Sequence, residues 1–127
     1  MNNIKLSGYV AKAPAVRYDS NGGLIVNFPL CVKKSFKKDE TGKYPVDFFP
    51  ISTYGKLAEV CRDFLTKGML VIIADGYLER NTDSNTNIIY TNIIARKVEY
   101  YNLTKGTHDS VEDIELLPDF DLSLDQE

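Results

Sequence analysis

The stretch Lys33-Lys34-Ser35-Phe36-Lys37-Lys38 sets four cations around one aromatic ring. Ammonium groups track phosphates and aromatic faces stack unpaired bases, each stack being worth about 1–3 kcal/mol, so this combination suits a single-stranded nucleic acid. Residues of the same types recur nearby. Phe48 and Tyr54 fall on one side of an alternating segment and Lys56 follows at once, while Arg17, Arg80 and Arg96 lie near the ends of other alternating segments. The competing reading of Phe48 is core packing, but Phe49, Ile51 and Thr53 already supply an inner face. The competing reading of the lysine loop is a solvated hairpin tip.

Catalysis finds no comparable set. The single histidine, His108, lies near the C-terminus among acids, away from any framework that would hold it against a nucleophile. Asp119, Asp121 and Asp125 lack the glycine and closing glutamate of a calcium loop. No glycine-rich phosphate loop occurs, and Cys31 and Cys61 stand thirty residues apart in apolar strings, where buried reduced thiols are expected rather than a metal or redox pair. A nuclease built on scattered carboxylates is the remaining catalytic alternative. The expectation is a binding protein that uses no catalytic residue, metal or cofactor.

Charge is partitioned along the chain. All fifteen Lys and Arg lie within residues 1–105 against ten acids, whereas residues 106–127 carry eight acids and neither Lys nor Arg. A basic body meets a polyanion, and an acidic tail stays solvated or docks elsewhere. At 127 residues, with 43% hydrophobic and 26% charged, the chain has the size and composition of one soluble domain. Its longest apolar run, Met69 to Ala74, is far short of the ~20 residues needed to span a bilayer. The N-terminal residues lack the basic and apolar regions of a signal peptide, so a cytoplasmic location without membrane attachment is expected.

The elements that must position these residues follow from periodicity. Residues 4–12 alternate as a half-buried strand, Asn21-Gly22-Gly23 signals a tight turn, and Leu24 to Val32 alternate again, with Pro29 predicting an edge or a bulge. Lys33 to Pro45 reads as a long hairpin loop leading into a third strand, Val46 to Tyr54. From Gly55 to Lys67 the period changes, since Leu57, Val60, Cys61, Phe64 and Leu65 form a helical stripe, with Gly68 as the stop signal. Strands over Leu70–Arg80 and Ile88–Tyr101 flank a polar loop from Asn81 to Asn87. Three strands, a helix and two strands is the order of a five-stranded OB-fold barrel, an all-β fold with one helix between its third and fourth strands. Alternation stops after Asn102. Residues 1–103 are therefore expected to form the binding domain, and 104–127 a disordered acidic tail whose apolar residues suit a linear docking motif.

At these residues the chain resembles the bacterial single-stranded DNA-binding protein family. The matching strings are Met1-Asn2-Asn3 leading to Leu6 and Gly8, Ala13-Pro14-Ala15-Val16-Arg17-Tyr18 before Asn21-Gly22-Gly23, and Val26-Asn27-Phe28-Pro29-Leu30-Cys31-Val32. Asp47-Phe48-Phe49-Pro50-Ile51, Tyr54-Gly55-Lys56-Leu57-Ala58-Glu59 and the closing Leu65, Lys67 and Gly68 complete a series covering about residues 1–101. The resemblance implies an OB-fold that binds single-stranded DNA in replication, recombination or repair, usually as a homotetramer, with a dimer as the alternative. It places Phe36 and Phe48 where the family commonly has stacking tryptophans, and Tyr54 at another stacking position. Together with Lys33, Lys34, Lys37, Lys38, Lys56, Arg17, Arg80 and Arg96, these form the expected DNA surface.

Three departures stand out. The chain has no Trp, and the Asn81–Asn87 loop lacks the aromatic the family often carries there. The Gly68–Gly76 interval is one residue longer than the family's usual spacing, which implies a bulge. The tail lacks the family's closing Pro-Phe and offers Leu117, Asp119, Phe120, Asp121, Leu122 and Leu124 as its docking residues for replication or recombination proteins. A short tail with an altered tip would suit a phage- or plasmid-borne copy. Two other functions stay open on sequence: an OB-fold adaptor acting mainly through protein partners, and RNA binding.

Overall fold

The computed structural model describes residues 1–34 and 37–102. Six strands and one helix follow in the order β1 (Ile4–Val10), β2 (Ala15–Tyr18), β3 (Leu24–Lys33), β4 (Val46–Tyr54), α1 (Gly55–Phe64), β5 (Leu70–Thr82) and β6 (Ile89–Tyr101). Five of the strands close the OB barrel with α1 between its third and fourth, as expected. The sheet runs β1-β5-β6-β4-β3-β2, and β1 also pairs with β3. On the other side β4 meets β6 in parallel at Ile51↔Ile93 and Ser52↔Ile94. The short β2, a strand beyond those expected from periodicity, lies outside the barrel against β3, with Arg17 opposite Ile25.

Closure depends on β1 turning from one neighbour to the other. Its residues Ile4 to Tyr9 pair with β5, and Tyr9 and Val10 pair with β3. At the turn the backbones press together, so that a Cβ on Gly8 would lie 2.2 Å from the Cys31 carbonyl oxygen. Glycine is required there by space.

The core gathers Val10, Val26, Phe28, Leu30, Ile51, Val71 and Ile73 from the strands. Helix α1 adds Ala58 and Cys61. The helix stops three residues before the position expected from its apolar stripe. Leu65 adopts an extended backbone, with its N–H donating to the Cys61 carbonyl, and drops its side chain into the core. Gly68, at φ +93°, instead serves the turn back to β1, where its N–H donates to the Val10 carbonyl at 2.8 Å.

Pro29 lies at a local edge, as expected: on the side away from β4 it falls between the last β1 pair, Val10↔Leu30, and the last β2 pair, Ala15↔Asn27, so no strand pairing calls on its missing N–H. It sits inside β3 opposite Pro50. The hydrogen bond from Lys34 N–H to the Pro45 carbonyl sets the ladder's phase and makes Pro29↔Pro50 a non-hydrogen-bonded pair, so neither proline interrupts the β3–β4 ladder. The extra residue in the Gly68–Gly76 interval does form a bulge. Between Leu6↔Ile73 and Ile4↔Gly76, β5 sets Ala74 and Asp75 against Lys5 alone, and the Lys5 ammonium donates to the Ala74 carbonyl at 2.7 Å.

Candidate nucleic-acid interface

Strand β4 separates its aromatics by parity. Phe49 turns inward and packs against the core, while Phe48 and Tyr54 stand on the outer face, 42% and 44% exposed. Phe48 lies opposite Cys31, and Tyr54 lies opposite Ile25, whose other neighbour is Arg17. Arg17 and Tyr54 thus flank the same β3 residue. Lys56 follows in the first turn of α1, which has neither an acidic residue nor a side-chain cap. The positive end of the helix and the lysine give that rim one sign of charge.

The lysine loop continues from the other end of the strand pair. Its tip is tied by Asp39, whose carboxylate accepts from the backbone N–H groups of Thr41 and Lys43 and from the Thr41 hydroxyl. The Thr41 hydroxyl above all, then the Lys43 amide, holds the Asp39 pKa below its ordinary value. Lys34 lies 3.8 Å from the Asp47 carboxylate. Lys33 places its ammonium 4.4 Å above the Tyr44 ring centroid, and Lys38 lies 5.8 Å from the same centroid. Lys37 is exposed, and Phe36 lies outside the described residues.

The remaining candidates are less closely gathered. Arg80 is exposed on the long β5–β6 hairpin, opposite Thr91. Arg96 lies over the Tyr77 ring at 4.4 Å and meets the Asp75 carboxylate at 3.4 Å, where Asn3 also donates. That carboxylate offsets the charge Arg96 would otherwise offer a phosphate. The tail candidates Leu117, Asp119, Phe120, Asp121, Leu122 and Leu124 lie outside the described residues.

Two aromatics on or near this surface escape a reading by motif. Tyr44 lies in the hairpin loop, and its even-numbered parity with Phe48 is the signal that would have found it. Tyr90, 49% exposed, sits on the β5–β6 hairpin opposite Asn81, just beyond the loop that lacks an aromatic of its own. Both cysteines are buried and free. Burial pushes each thiol up to about 11, against a small opposing effect of the Thr53 hydrogen bond at Cys61. Among the described residues no group of His, Cys, Asp and Glu could hold a metal ion, and no helix is long and apolar enough to cross a membrane.

The model of the single-strand binding protein family matches residues 1–101. A single-stranded DNA-binding protein of Caldanaerobacter subterraneus subsp. tengcongensis is 32% identical over 108 residues, covering 84% of this chain and 71% of the relative. Single-stranded DNA-binding protein 2 of Clostridium acetobutylicum is 31% identical over 118 residues, covering 91% of this chain and 86% of the relative. Among solved structures, the wild-type single-stranded DNA binding protein from Thermus aquaticus superposes with a TM-score of 0.65 at 24% identity over 80% of this chain. A deletion mutant of it gives 0.66 at 23% over the same share. This chain spans about half the length of each Thermus chain, 50% and 51%. At those identities the superposition speaks for the fold.

Proposed function

Because the chain belongs to the single-strand binding protein family, we propose that it binds single-stranded DNA without strong sequence preference, by aromatic stacking and phosphate contacts. The observation that carries this reading is the outer face of β4, where Phe48 and Tyr54 stay in solvent while Phe49 alone turns to the core. Exposed aromatics cost solubility and return nothing to the core, whereas bases supply flat partners for them. Arg17, Lys56 and the lysine loop border the same strand pair. Phe36 belongs to this surface by family position.

The reading extends to the whole chain. Residues 1–103 act as the binding unit, non-catalytic and assembled as a homo-oligomer, and residues 104–127 act as a docking tail for proteins of replication, recombination or repair. Support for the tail is its charge, eight acids interspersed with Leu117, Phe120, Leu122 and Leu124.

Affinity for oligo-dT compared with a duplex of equal length tests the central claim. The expected result is a preference for the single strand and a logarithmic salt slope near −0.7 per phosphate contact. Equal affinity for duplex, or a slope near zero, refutes it.

A further inference from the structure

Tyr44 has no place among the residues that family position assigns to DNA, yet it holds two of the loop's cations. The bond from Lys34 N–H to the Pro45 carbonyl carries the β3–β4 ladder one pair past the start of β4. Tyr44 therefore continues the outward parity of Val46, Phe48 and Tyr54. Lys33, opposite Val46, projects from the same face of β3, which is why its ammonium can lie over the ring. Lys38 reaches that ring from across the hairpin.

Two ammonium groups this close to one centroid are within about 10 Å of each other, roughly a Debye length at 0.1 M salt, so they repel. The negative face of the aromatic quadrupole opposes that repulsion. A ring carries no net charge, so this contact by itself leaves both ammonium charges in place. We propose that Tyr44 is a positioning residue that gathers Lys33 and Lys38 into a preformed grip for the phosphates of a strand stacked along β4. The inference rests on the single-strand reading and adds to it a residue that organises the cations. Its effect is electrostatic, so it weakens as salt rises.

The test compares the full-length chain with Tyr44→Phe and Tyr44→Leu. Phenylalanine keeps the quadrupole and leucine keeps only apolar bulk. In the free protein, ring-current shifts of the Lys33 ε-methylene protons should be present in the parent and in Tyr44→Phe, and lost in Tyr44→Leu. On oligo-dT, Tyr44→Leu should bind about 5-fold more weakly near 50 mM salt, with a slope shallower by about one contact, while Tyr44→Phe stays near the parent. An unshifted Lys33 ε-methylene in the parent overturns the proposal. So does a parent that binds oligo-dT while Tyr44→Leu matches it in affinity and slope, or a Tyr44→Leu loss that is the same at every salt concentration. A parent that fails to prefer single strands removes the single-strand reading itself, and the proton shifts then report on the lysine clamp alone.

Discussion

Replacing Phe48 or Phe49 by alanine removes the same atoms from adjacent positions, yet the two changes should fail in different ways. Phe48 keeps 42% of its surface in water, and its loss should cost about 1 kcal/mol of folding stability or less. Its outer face is where a base would lie, so binding should weaken by about 1–3 kcal/mol, roughly 5- to 150-fold in Kd. Phe49 packs against the cluster containing Leu30 and Ile51. A fully buried Phe→Ala change costs about 3–5 kcal/mol, and a partly buried ring loses somewhat less. At about 4–8 °C per kcal/mol for a domain of this size, Phe49→Ala should lower Tm by more than ~10 °C. Circular dichroism melts and fluorescence anisotropy of labelled oligo-dT, at one salt concentration well below each Tm, separate the two effects. If folded Phe49→Ala loses binding while Phe48→Ala only melts early, the strand is out of register by one residue and every outward assignment on β4 fails with it.

Gly8→Ala should strongly destabilise the barrel or prevent its closure, because the added Cβ meets a backbone carbonyl that belongs to β3 and cannot swing aside; a melt within ~2 °C of the parent would show that β1 does not cross there. Cys31 and Cys61 have pKa values raised to about 11 from 9.0, so between those values the unfolded chain sheds protons that the native state keeps. Stability is therefore retained below pH 9 and falls through this window by on the order of 2 kcal/mol per thiol, a loss that a Cys31→Val, Cys61→Val double variant should largely escape in pH-dependent denaturant titrations. Deleting residues 106–127 removes eight acids and neither Lys nor Arg. The truncated chain should remain folded and bind oligo-dT as tightly as the full chain or more tightly at low salt, and weaker binding would make the tail part of the site.

Local pattern alone determined much of this molecule. The two-residue period along β4 assigns Phe48 outward and Phe49 inward because a pleated strand alternates its faces wherever it pairs. Turn chemistry marks Asn21-Gly22-Gly23, with Gly22 at φ +83°, and the bulge before Gly76 was announced by a one-residue excess over the spacing of the family the chain resembles, since a fixed ladder must expel what it cannot pair. Other features depended on partners distant in sequence. Leu65 left the helix with an extended backbone and still joins the core cluster that the strands supply, a break that no helical stripe records. Pro29 was admitted because the phase of the ladder, which Pro50, twenty-one residues away, shares, turns its missing N–H toward the gap between the β1 and β2 pairings. Arg96 was drawn to Asp75 and Tyr77 by a register spanning the β5–β6 hairpin. Tyr44 became the centre of two lysines only when β3 and β4 paired and brought Lys33 alongside it. Propensity and alternation act over a few bonds, so a sequence states them outright; side-chain partnership across strands is set by register, which exists only once the barrel has closed.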